Sequence, residues 1–227
     1  MVCMRVSAVL GMALAAGSAL GGSVDLSYTG VVGGTSAMHL RVANVTYYAG
    51  HMSHVFTSGD RSGQTFNTFC IDVNESANPG PATYQIIRLE DAPVPGSPYG
   101  PAKAAAVSDV VANAIALGWI GADLQANAAQ TGHLGKMGAI QAAIWAALGF
   151  DVQVGASQTS ASLKTYYALL MTAMTTNDTM VTSGLRAIAA PGQQDMLYIV
   201  PLPPAGWAGA GLLAVGFGLR TVRRRTN

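Results

Sequence analysis

From Val24 to Leu89 the apolar residues come in short, partly alternating stretches rich in β-branched and aromatic side chains. That period predicts strands over 24–28, 38–48, 66–73 and 83–89. Gly33-Gly34 and Asn78-Pro79-Gly80-Pro81 predict turns, and the polar, Gly-containing run 51–64 predicts a loop. Pro93, Pro95, Pro98 and Pro101 then form a stiff connector, after which the period lengthens. Val107, Val110, Val111, Ala114 and Leu117 lie at helical spacing ahead of a stop at Gly118. A second helix is predicted over 134–148, ending at Gly149. A third, capped by Ser160 or Ser162, carries Leu163, Tyr166, Tyr167, Leu170 and Met174 along one side. Strand character returns at 185–189 and 196–200, around Pro191-Gly192. Strands, a helical insert and strands again predict an α+β domain, with a strand-rich sandwich- or barrel-like core and grouped helices.

Both ends depart from this pattern. Arg5, the apolar run 6–16 and the small residues Gly17-Ser18-Ala19 read as an export signal over 1–23, too short in its apolar part to span a bilayer. The expected domain is 24–199. Over 200–227, Val200-Pro201-Leu202-Pro203-Pro204 leads into an apolar, Gly-rich run, 205–219, followed by Arg220, Arg223, Arg224 and Arg225. Its fifteen apolar residues rise about 22 Å as a helix, against a hydrocarbon core of roughly 30 Å. That suits a transient sorting segment better than a permanent anchor, with the arginines held on the cytoplasmic side. The proline-rich motif, short apolar helix and terminal arginines resemble the PEP-CTERM family of bacterial sorting signals, in the variant called VPLPA-CTERM; Pro204 stands where that motif has alanine. The resemblance implies export to the surface or matrix of a Gram-negative bacterium, with an exosortase processing the tail at the inner membrane.

Composition narrows the function classes. Half of the 227 residues are hydrophobic and only 10% are charged, against roughly 25% in an ordinary domain. A net charge of +1 and the absence of a basic stripe give no case for nucleic acid. No zinc spacing, phosphate loop or nucleotide signature occurs, and the ten methionines are scattered, so neither metal nor cofactor is expected. Of the two cysteines, Cys3 precedes the apolar run and leaves with the signal, which makes Cys70 the odd cysteine of an exported chain.

Gln141 supplies a partner for it. On the helix 134–148 it shares a face with Met137, Ile144, Trp145 and Leu148, and an amide there must be satisfied or cost roughly 1–3 kcal/mol. Ala142, Ala143, Ala146 and Ala147 keep the helix thin enough for another element to approach. A thiol held against a carboxamide can displace ammonia to give a thioester, an acyl group that a later amine or hydroxyl can take. By the chain-entropy relation, closing a loop of about 70 residues stabilises by roughly 4 kcal/mol.

Phe69-Cys70-Ile71 resembles the aromatic-Cys-aliphatic motif of bacterial thioester domains, and Ile140-Gln141-Ala142-Ala143-Ile144-Trp145 resembles their Gln motif, with Ile140 where many members carry Thr. Gly192-Gln193-Gln194-Asp195-Met196-Leu197 is like the closing segment of related exported proteins. The resemblance implies a Cys70–Gln141 crosslink and covalent capture of a surface or matrix molecule, a single-use reaction rather than enzymatic turnover. Two other readings stand beside it. Cys70 could be inert, or pair two copies by a disulfide, in a noncatalytic matrix protein. It could also serve a Cys–His hydrolase with His51, His54 or His133 and Asp72, although Asp72 beside it raises the thiol pKa by like-charge repulsion.

Overall fold

The computed structural model describes residues 22–177 and 179–200; the expected signal, the sorting motif from Pro201 onward and the terminal arginines lie outside them. Among the described residues the fold is α+β, with eight strands and three α-helices around a sheet-rich core. Strands β1 (Ser23–Val31), β4 (Met52–Phe56), β5 (Thr65–Thr68), β6 (Gly80–Ile87), β7 (Leu185–Ala190) and β8 (Gln193–Ile199) form one antiparallel sheet in the order β5-β4-β1-β6-β7-β8. β2 (Met38–Val42) and β3 (Val45–Ala49) form a separate hairpin. Helices α1 (Gly100–Ala116), α2 (His133–Leu148) and α3 (Ala161–Thr176) follow one another between β6 and β7. Those two strands are themselves hydrogen-bonded neighbours, with Ile87 opposite Ala187. The helical region is thus a long excursion out of a β-hairpin.

Beyond β5 the chain continues alongside β8, the strand at the far end of the sheet order. Leu197 N–H donates to Phe69 O and Ile71 N–H to Asp195 O, each at 2.9 Å, with Cys70 opposite Met196. Cys70 therefore lies where the two outermost strands of the sheet are joined.

Three expectations need correction. The run 51–64 is not all loop, because β4 occupies 52–56 with Met52, His54 and Phe56 inward. The polar imidazole at a core position hides the alternation. The stretch 38–48 is not one strand but a hairpin, turned at Ala43 and Asn44, whose φ angles of 44° and 69° are both left-handed. Such a pair sets the twist of a two-residue hairpin turn. The strand expected over 66–73 is β5 alone, with 69–71 continuing as isolated pairing to β8. Gly149 does end α2, at φ 92°, where its N–H and that of Phe150 satisfy the carbonyls of Ala146 and Trp145. Ser160 sits at the start of α3, but its hydroxyl accepts from His39 N–H at 2.8 Å instead of capping the helix.

α2 is buried on nearly all sides. Met137, Ile140, Ile144 and Leu148 pack into the main core with Phe69 and Ile71, while Ala142 and Trp145 join Cys70, Leu40, Val42 and Met52 in a second cluster. Alternation along the strand explains the split: Phe69 and Ile71 point one way and Cys70 the other.

Candidate functional site

Cys70 and Gln141 meet although 71 positions separate them. The side-chain carbonyl of Gln141 accepts from Cys70 N–H at 3.0 Å, and its amide nitrogen donates to Cys70 O at 2.7 Å. Both residues are almost completely buried, at 2% and 1% exposure. The helical amide completes backbone pairing that no neighbouring strand supplies on this side of Cys70.

The remaining expected motif residues surround the pair. Phe69, Ile71, Ile140 and Ile144 are fully buried and wall it off from the main core side. Trp145 stands beside the sulfur, its ring in a T-shaped pair with that of Tyr47 at 6.0 Å between centroids. Its buried indole nitrogen makes no regular hydrogen bond, yet it lies near enough to the thiol to favour the thiolate, as does the backbone N–H of Asp72. Burial outweighs both and pushes the Cys70 thiol well above its usual range, with Asp72 and Asp195 adding negative charge in the same direction. Wherever Cys70 is a free thiol, this environment keeps it protonated at neutral pH.

The closing segment packs against this site. Gln194 donates to Asp72 O at 3.1 Å, and Asp195, with no exposed surface, takes Val94 N–H on one carboxylate oxygen at 2.7 Å. Its other oxygen has no partner. Burial first, then the carboxylates of Glu75 and Asp72, push the Asp195 carboxyl up to about 7. Asp72 has its own partner, accepting Asn74 N–H at 2.8 Å in a tight local turn. Tyr99 donates to Ile71 O at 2.5 Å and clamps the strand from the connector side.

None of the histidines is arranged as a base for Cys70. His51 packs at a tilt against Phe69 at 4.4 Å between centroids, His54 packs against Tyr28 and Tyr84, and His133 opens α2. Burial lowers the imidazoles of both His51 and His54 to about 4, so both are neutral core residues at pH 7.

A cavity of about 260 Å³ opens over the pair, with Cys70, Gln141 and Trp145 among its walls and Tyr28, Tyr47 and Glu75 around them. No family model, curated protein or solved structure matches the chain. The site is therefore read from its own chemistry. Sequence reasoning missed Glu75, Tyr99 and the role of Asp195. Asp195 left a signal, a lone acid inside the apolar-flanked segment 193–199, whereas Glu75 sits in a polar turn that looks like any solvated loop.

Proposed function

We propose that the chain is an exported, surface- or matrix-directed binding protein in which Cys70 and Gln141 form an internal thioester for covalent capture of an amine or hydroxyl. The observation that carries this is the two-point hydrogen bonding of the Gln141 carboxamide to the Cys70 peptide, beneath an open cavity. Bond formation joins sulfur to the side-chain carbonyl carbon of residue 141 and breaks its C–N bond. Ammonia leaves, carrying the thiol proton. Contact supplies the effective concentration that the reaction needs. The indole N–H of Trp145 and the N–H of Asp72 stabilise the negative charge that builds on sulfur both when the bond forms and when it is spent.

In this reading the pairing of 69–71 with β8 closes the sheet into a barrel-like core, and the whole of 24–199 is one thioester-type domain. The motif Val200-Pro201-Leu202-Pro203, the apolar run and the arginines of the tail support sorting through the inner membrane of a Gram-negative bacterium by an exosortase-type enzyme. No cofactor enters the reaction, and nothing in it turns over.

A second reading follows from the buried, protonated thiol. The same contacts serve an inert cysteine in a noncatalytic matrix protein, where Gln141 is structural. Burial at 2% exposure disfavours a disulfide between copies. Intact mass and thiol labelling of the exported protein separate the two. A thioester gives a mass short by one ammonia and no labelling before denaturation in base, whereas full mass with one thiol titratable after unfolding leaves the structural role.

A further inference from the structure

The capture chemistry needs one more group than the crosslink provides. An incoming N–H or O–H must lose a proton as it attacks, and the departing sulfur must gain one. Three carboxylates and two histidines lie in this part of the molecule. Asp72 is buried and bound to Asn74 N–H, and Asp195 is sealed against Val94 N–H. His51 and His54 are packed among aromatic rings and are not among the cavity's lining residues. Only Glu75 lines the cavity over Cys70 and Gln141, and it is the sole carboxylate among the cavity's described walls. One of its oxygens is shielded from solvent and has no hydrogen-bond partner.

On the thioester reading above, we infer that Glu75 is the catalytic residue of the transfer step, the base that takes the proton of the attacking amine or hydroxyl and returns it to Cys70. The balance is complete. The nucleophile's N or O bonds to the side-chain carbonyl carbon of residue 141, the C–S bond breaks, and its electron pair goes to sulfur. The proton passes from nucleophile to Glu75 to thiolate, so no other reactant is consumed. Burial, and secondarily Asp72, raises the Glu75 carboxyl above its ordinary value, against a smaller opposing effect of Gly192 N–H. A raised carboxyl is a stronger base at neutral pH than a solvated one. The other titratable groups facing Glu75 are Asp195 and Tyr84, with Tyr28, Tyr47 and Tyr48 on the cavity walls.

The test uses the exported protein with methylamine and glycerol as probes, following the mass gained by the chain over time. Wild-type protein should begin short by one ammonia and gain one probe molecule. Glu75→Gln should begin at the same reduced mass yet acquire either probe about 100-fold more slowly, within the usual range for losing a general base. Glu75→Asp should fall between them. With glycerol, whose hydroxyl does not titrate in the range, the wild-type rate should rise as Glu75 ionises, and Glu75→Gln should lose that rise. Equal rates in wild type and Glu75→Gln, both starting at reduced mass, would overturn the assignment and leave the thioester standing. A Glu75→Gln protein that folds but starts at full mass would place Glu75 in bond formation and equally overturn it. Full mass in the wild type would remove the thioester itself, and this inference with it.

Discussion

The carboxamide of Gln141 holds the peptide of Cys70 from both sides, taking its N–H at 3.0 Å and supplying its carbonyl at 2.7 Å. Truncation of either side chain would preclude the proposed crosslink, but only one truncation strands backbone groups. Gln141→Ala leaves a buried N–H and a buried C=O unpaired at about 1–3 kcal/mol each, so a loss of roughly 2–6 kcal/mol is expected. Cys70→Ala keeps both bonds and should cost distinctly less. Urea unfolding of the two variants checks the order.

The pH dependence of stability should contain two opposing parts. His51 and His54 have folded pKa values near 4 against 6.5 unfolded, so the unfolded chain binds more protons between those values and stability falls as pH drops from 6.5 toward 4. Asp195 runs the other way. Its folded carboxyl at about 7 binds a proton that the unfolded one, at 3.8, has already released, so its contribution falls as pH rises from about 4 to 7. Asp195→Asn should therefore steepen the net loss of stability on acidification, and His54→Phe should flatten it. Unfolding midpoints measured from pH 4 to 8 would show both slopes, and parallel curves would count against the burial of these groups as their cause.

Close packing on α2 gives a steric prediction. A Cβ added at Gly138 would lie 2.8 Å from Cβ and Cγ of Met38 and 3.0 Å from Leu163. Gly to Ala inside a helix ordinarily gains up to about 1 kcal/mol, but here the hairpin β2–β3 and α3 both press on the site. Gly138→Ala should destabilise by roughly 1–3 kcal/mol as an overpacked core does. A rise in thermal midpoint would show that β2 can retreat from the helix at little cost.

The β2–β3 turn should accept improvement. Ala43 holds φ at 44°, a left-handed conformation that costs a residue with a Cβ roughly 1–2 kcal/mol. Ala43→Gly removes that strain while loosening the unfolded chain, for an expected gain of up to about 1 kcal/mol. Thermal unfolding of the variant measures the balance.

Periodicity revealed the helices and most strands because their burial follows the repeat that the residues display. α2 reads as apolar at nearly every position, and Gly149 carries its own stop. β4 escaped because a histidine looks polar on paper, although His54 is buried as a neutral core residue. The β2–β3 turn escaped because Ala43-Asn44 lacks the glycine that usually announces such a turn. At the site, Cys70 and Gln141 stood out as an unpaired cysteine and an amide on an apolar helix. Glu75 did not, since nothing local distinguishes a carboxylate facing a cavity from one facing water. Its importance exists only after strands, helix and closing segment have come together.

That convergence assigns the two halves of the pair to different parts of the architecture. The sheet owns Cys70; the excursion between β6 and β7 owns Gln141. A chain whose helices had not yet swung back onto the strands would present a cysteine and a glutamine with no knowledge of each other. The pairing of Gln141 with the Cys70 backbone is thus a latch that closes only on a finished molecule, and on the proposed thioester reading an immature copy cannot be armed.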